Sequence, residues 1–213
     1  MFRQYRSIDE GEQFVVGADT SAGLNDYCAA QFVSKTKIDV PLVYHEKVTG
    51  SIMVPYLHNV LEKIYETTNI KPTIAIERNF GGHELMDRLG TLNREGKYIL
   101  YLMETTGTTS DGPTNKYGWD TNTATRPMML EALKNAIDGK ALKLYDKLTI
   151  EELYSFVKVR TTTMVKAQAE VGAFDDLVMS LAIAWQLYQQ VPSPAKYYIP
   201  SKDDISNRNW SLK

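Results

Sequence analysis

The run Phe14-Val15-Val16-Gly17-Ala18 is apolar without alternation and stops at an acid, Asp19. A strand of that kind is covered on both faces, so the chain must supply layers above and below a sheet. Two further strand-like runs, Tyr27 to Val33 and Val40 to Val48, follow with a short polar link, as in an antiparallel meander. The period then changes. Leu57, Val60, Leu61, Ile64 and Tyr65 mark an amphipathic helix ending near Asn69, and Thr73-Ile74-Ala75-Ile76-Glu77 is a second short buried strand closed by an acid. A Gly-Gly turn opens a helix over 83–92, and Tyr98 to Met103 reads as another strand.

Residues 104–124, rich in Thr, Gly, Ser and Asn, form a long loop, and long loops in compact domains are often functional. Pro127 suits the first turn of a helix running to Ile137. A strand-like piece (141–144), a helix (149–157) and a Thr-rich extended stretch (158–169) precede a last helix. That helix starts at Asp175-Asp176, runs to Gln190 and is apolar over most of its circumference. The order predicts an α/β fold of three layers. A mixed sheet of five strands, or slightly more, has helices on both faces. Residues 1–12 read as a lead-in or linker, 13–190 as one domain and 191–213 as a polar tail.

Composition narrows the chemistry. Lys plus Arg number 24 against 26 Asp plus Glu, a net charge of −2. Nucleic acid held by sheer charge usually requires a basic domain, so any such contact here is local or assisted. One cysteine, Cys28, excludes an internal disulfide framework and a cysteine-based zinc site, and three scattered histidines make a poor metal site. No apolar stretch approaches a membrane span and no signal-peptide core opens the chain, so a soluble intracellular domain is expected, with no membrane partner.

Three acidic positions adjoin strongly apolar segments: Asp19 after the first buried strand, Glu77 after the fourth, and Asp175-Asp176 at the start of the last helix. Individually, Asp19 suits an Asx turn, Glu77 a solvated strand end, and Asp175 or Asp176 a helix N-cap. Together they can do more. Ligands collect at the carboxyl ends of central strands, and if the first and fourth strands are parallel neighbours their acids stand side by side. Clustered carboxylates repel unless a cation neutralises them, and hard oxygen ligands select Mg²⁺ or Mn²⁺. Two such ions can activate a water and stabilise a leaving oxygen in phosphodiester cleavage.

The phrases Val16-Gly17-Ala18-Asp19-Thr20-Ser21-Ala22-Gly23-x-x-Asp26, Ile76-Glu77-Arg78-Asn79-x-x-Gly82, Tyr117-Gly118-Trp119-x-Thr121-x-x-x-Thr125-Arg126-Pro127 and Asp175-Asp176-Leu177-Val178-Met179-Ser180-Leu181-Ala182 occur in that order. Together they resemble the C-terminal nuclease domain of the large terminase subunit of tailed bacteriophages, over about residues 15–190. The resemblance implies an RNase H-like fold and a metal-dependent endonuclease that cuts concatemeric viral DNA during genome packaging, in the cytoplasm of the infected host. It assigns Asp19, Glu77 and one of Asp175 and Asp176, with Asp176 favoured, to the catalytic metal triad. Asp26 corresponds to an additional acid that could ligate a second Mg²⁺ or Mn²⁺ ion. Many relatives carry a histidine where this chain has Phe174, which leaves the carboxylates as the ligand candidates.

The implied partners are double-stranded DNA, the ATPase domain of the same subunit, the small terminase subunit and the portal. No G-x-x-x-x-G-K-[ST] phosphate loop occurs, so the ATPase itself is not in this sequence. Arg78, Arg160 and Lys166 are candidates for DNA phosphates, although each also reads as a solvated charge. Arg126 could meet a phosphate or an acid of the site. Trp119 is expected to anchor the long loop on the sheet rather than to stack on a base, and His83 to lie by the turn without acting as a ligand. A monomer is the default in isolation. Rival readings are another RNase H-like nuclease (a resolvase or transposase core), an actin-like nucleotide-binding protein, and a non-catalytic interaction module.

Overall fold

The computed structural model describes residues 1–20, 27–105, 114–158 and 175–193. Six strands form one sheet: β1 (Phe2–Gln4), β2 (Phe14–Asp19), β3 (Cys28–Ser34), β4 (Asp39–Glu46), β5 (Thr73–Ile76) and β6 (Ile99–Leu100), in the order β1-β4-β3-β2-β5-β6. The β1–β4, β4–β3 and β3–β2 pairs are antiparallel, whereas β2–β5 and β5–β6 are parallel. The mixed sheet therefore follows from local connection length: short turns make the meander, and helical crossovers make the parallel half.

Helices α1 (Gly50–Thr68) and α2 (Gly82–Leu92) cover one face, packing on Val16, Ala18, Phe32, Ile74 and Ile76. Helices α3 (Thr125–Asp138), α4 (Lys147–Lys158) and α5 (Asp176–Gln190) cover the other, with Val15, Ala29, Val33, Val43 and Ala75 beneath them. Every β2 residue is buried, as its unbroken apolar run requires. The α5 backbone lies directly on β2. A Cβ added at Gly17 would stand 2.3 Å from both the Ala184 nitrogen and the Ser180 oxygen. Glycine at position 17 is what lets the helix approach the strand this closely.

Several boundaries differ from the sequence expectation. Residues 1–12, read as a lead-in, are built into the fold. Phe2–Gln4 forms the edge strand β1, and Arg6 bonds both Glu12 and the buried Asp39. Pairing with β4, Phe2 against Phe32 and Tyr44, and the ion pairs of Arg3 and Arg6 hold that segment without an apolar period, which is why periodicity missed it. Helix α1 begins seven residues before Leu57 and contains Pro55. The proline has no N–H for the Ser51 carbonyl four residues back, and the Arg88 guanidinium of α2 donates to that oxygen at 3.1 Å. The expected strand over 98–103 divides at Tyr101 into β6 and β7 (Leu102–Thr105), and β7 pairs with β8 (Thr114–Tyr117) from within the expected loop. The piece over 141–144 contributes an isolated bridge, Lys143 to Asp39, instead of a strand. The Thr-rich stretch falls outside the described residues from 159 onward, and the tail from 194.

Candidate active site

Strands β2 and β5 run in parallel register with Ala18 opposite Ile76, and the Glu77 amide donates to the Ala18 carbonyl at 2.8 Å. Asp19 and Glu77 consequently leave the sheet side by side at its carboxyl edge. The first turn of α5 arrives at the same edge. Asp19, Glu77 and Asp176 are 8%, 7% and 6% exposed, and Asp175 is half-buried beside them. Sequence positions more than 150 residues apart thus meet, buried, at one edge of the sheet.

The electrostatics match that crowding. Burial pushes the Asp19 carboxyl well above its ordinary range, helped by the charge of Glu77, by a hydrogen bond shared with it, and by the charges of Asp176 and Asp175. The Arg126 guanidinium, from the first turn of α3, donates to the Asp175 carboxylate at 2.7 Å. Of the two adjacent acids, then, Asp175 is neutralised by an arginine, while Asp176 is the more buried and faces the other carboxylates electrostatically.

The other phrases singled out in the sequence support this edge from behind. Trp119 is 1% exposed and bridges to Glu77: its amide donates to the Ile76 carbonyl at 2.9 Å, and the Arg78 amide donates to its own carbonyl at 2.8 Å. It anchors the loop on the sheet as expected, and burial removes it from any base-stacking surface. Tyr117 is exposed. Gly118 has φ +94°, and an added Cβ would lie 2.7 Å from the Ile76 carbonyl oxygen. Gly82 is tighter still, because its Cβ would meet the Glu77 carbonyl oxygen at 1.7 Å. Both glycines are there because side chains would displace the strand end that carries Glu77. The Asn79 amide nitrogen reaches the Glu77 carboxylate at 3.3 Å and the Thr121 carbonyl at 3.0 Å, so it ties the acid to the loop.

Of the remaining sequence candidates, Arg78 is half-buried next to Glu77, with its side-chain stem against Gly118. His83 is exposed. Asp26, Arg160, Lys166 and Phe174 lie outside the described residues. Glu152 of α4 was not foreseen: its carboxylate accepts the Val178 amide at 2.9 Å. Burial, together with the nearby Asp176 and Asp175 charges, pushes it up to about 8 against the pull of its backbone hydrogen bonds. On its own helix Glu152 reads as an ordinary charged residue beside Glu151, and no spacing rule links it to α5.

The donor set of Asp19, Glu77 and Asp176 is carboxylate oxygen and buried, which is the chemistry that Mg²⁺ or Mn²⁺ satisfies. Among the described residues no group of three or more acidic, histidine or cysteine side chains is already arranged to hold a metal ion.

The sheet order, the layered helices and the acids at the parallel strand ends define an α/β fold of the RNase H-like type. Among solved structures, the large terminase nuclease of thermophilic phage G20c is similar over 87% of this chain and 86% of its own, with TM-score 0.57 and 17% identity. The same nuclease with bound cobalt gives TM-score 0.60 at 16% identity, over 86% and 84%. The human cytomegalovirus terminase nuclease domain, soaked with manganese, gives TM-score 0.55 at 12% identity, over 84% and 85%. This chain has the fold that those terminase nuclease domains share. No family model matches the sequence, and no curated protein matches it. No helix among the described residues is long and apolar enough to cross a membrane.

Proposed function

We propose that the chain is a divalent-metal-dependent endodeoxyribonuclease, the nuclease domain of a phage large terminase that cuts concatemeric DNA during packaging. One observation carries the reading: Asp19, Glu77 and Asp176, from three separate elements, are buried together at the carboxyl edge of β2 and β5, where like charges push Asp19 up. The likeness to nucleases solved with cobalt, magnesium or manganese supports it further.

In this reading Asp19, Glu77 and Asp176 hold the ions, and Asp26 is available to a second one. Two ions, Mg²⁺ or Mn²⁺, supply activation of the attacking water and stabilisation of the leaving 3′ oxygen. The chain's own groups do the rest. Asp19, whose carboxyl is pushed up by burial and by the neighbouring acids, gives up its proton when a cation is held, so metal loading is pH-dependent. Arg126 keeps Asp175 neutralised, and Asn79 orients Glu77. Arg78, with Arg160 and Lys166, serves DNA phosphates around the acids. No side chain is required as a nucleophile, and cleavage leaves a 3′ hydroxyl and a 5′ phosphate.

A net charge of −2 predicts weak, salt-sensitive DNA binding by the chain alone. The ATPase domain, the small subunit and the portal would supply local concentration and timing in the host cytoplasm, with the isolated chain monomeric. The test is supercoiled plasmid with Mn²⁺. Nicked or linear product, lost in Asp19→Ala and Glu77→Ala, is expected. Intact plasmid with a folded protein would overturn the nuclease reading in favour of an interaction module, and ATP binding without cleavage in favour of an actin-like protein.

A further inference from the structure

Helix α5 begins at Asp176, and its N-cap residue, Asp175, makes no side-chain cap; its carboxylate goes to Arg126 instead. The first N–H groups of a helix need acceptors from somewhere. The Val178 amide, in that first turn, finds its acceptor on another helix, at the Glu152 carboxylate of α4. A second tether runs beside it. Gln31 of β3 donates through Nε2 to the Thr149 hydroxyl of α4 at 2.9 Å and, more weakly, to the Leu177 carbonyl at 3.4 Å.

We infer that Glu152 is a positioning residue for the proposed metal site: by capping α5 from α4 it fixes the turn that presents Asp176 to Asp19 and Glu77. The inference rests on the nuclease reading. Its physical basis is geometric: the acceptor for the amide two residues after Asp176 comes from a different helix, while the α5 N-cap residue makes no side-chain cap. A serine or threonine at position 175 could cap the helix locally. The fold instead buries another carboxyl beside Asp176 and Asp175, and those like charges work against its ionisation. The arrangement leaves Asp175 free for Arg126 while still holding the first turn. Because α5 also rests on Gly17 of β2, anchoring the Val178 amide fixes Asp176 relative to the strand that carries Asp19. Groups that orient metal ligands in this way are commonly worth about 10–100-fold in metal affinity.

The test uses the full chain and three variants, read by Mn²⁺ titration calorimetry, by hydrogen exchange at the Val178 amide and by thermal melting. Glu152→Ala should lose about tenfold or more in Mn²⁺ affinity and lose protection at Val178. Glu152→Gln should rescue both, because its side-chain carbonyl accepts the same bond. Glu152→Asp, which keeps the charge but is one methylene short, should resemble the alanine variant and covers the case in which Glu152→Ala does not fold. Wild-type Mn²⁺ affinity and Val178 protection in Glu152→Asp or Glu152→Ala would overturn the assignment. So would Glu152→Gln behaving like Glu152→Ala, which would assign the effect to charge. A wild-type chain that neither binds Mn²⁺ nor cuts DNA fails the nuclease reading; the anchor then stands or falls on whether Val178 keeps its protection without Glu152.

Discussion

Asp19 and Glu77 leave adjacent parallel strands side by side, the Glu77 amide donating to the Ala18 carbonyl at 2.8 Å, in a place where both acids are almost wholly buried. Burial and the neighbouring carboxylates push the Asp19 carboxyl well above its ordinary range, so the metal-free fold favours its protonated form.

Replacing that proton's holder should separate stability from function. Asp19→Asn fixes the position neutral at every pH and keeps the shape. It is expected to raise the stability of the metal-free protein by about 1 kcal/mol while abolishing Mn²⁺-dependent cleavage. Urea unfolding with and without EDTA, beside a plasmid assay, checks both halves.

The pH dependence follows from the direction of the shifts. Asp19 is raised and Glu152 is pushed up to about 8, so both favour the folded state while protonated; that contribution is lost as pH rises through the folded values. His45 is depressed to about 4 by burial and by the Arg3 charge, and it acts in the opposite sense. Its stabilisation is complete above about 6.5, the ordinary histidine value. Metal-free protein should therefore lose stability between pH 6.5 and 8, and Mn²⁺ should reverse the loss. Melting curves across that window in EDTA and in Mn²⁺ test it; a flat profile in EDTA would count against the buried acid pair.

The two neighbouring aspartates should behave differently. Asp176→Asn is expected to eliminate cleavage, whereas Asp175→Asn, whose carboxylate is already held by Arg126, should keep activity within about tenfold. The Arg126–Asp175 pair is partly exposed, so Arg126→Ala should cost no more than about 1 kcal/mol of stability. Single-turnover nicking rates for the three variants separate the roles.

Gly17→Ala probes the platform beneath the site. The new methyl would meet backbone atoms of α5 at 2.3 Å, and neither side has a flexible group that can yield. A loss of about 3 kcal/mol is expected in chemical denaturation, with α5 shifted off β2.

The buried strands and the helices among the described residues could be read from apolar runs and helical period, because burial writes itself into residue type; the strand order was legible only as a meander with one conditional parallel pairing, now seen between β2 and β5. The acids at 19, 77 and 175–176 stood out for the same reason, each ending or starting an apolar segment. Polar organisation was less legible. The Arg6–Glu12–Asp39 cluster that pins the N-terminal strand, and the Glu152 bond to Val178, join residues far apart in sequence without leaving any period. The break at Tyr101 was hidden as well. Residues 98–103 suit a strand equally well whether they continue beside β5 or turn away to pair with β8, and the tight passage at Gly118, beside Ile76, accompanies the turn.

The most direct measurement is an anomalous-difference map from a crystal of this protein soaked in Mn²⁺. The account predicts density bounded by the carboxylates of Asp19, Glu77 and Asp176, with Arg126 still on Asp175. An empty map at saturating Mn²⁺ would contradict it.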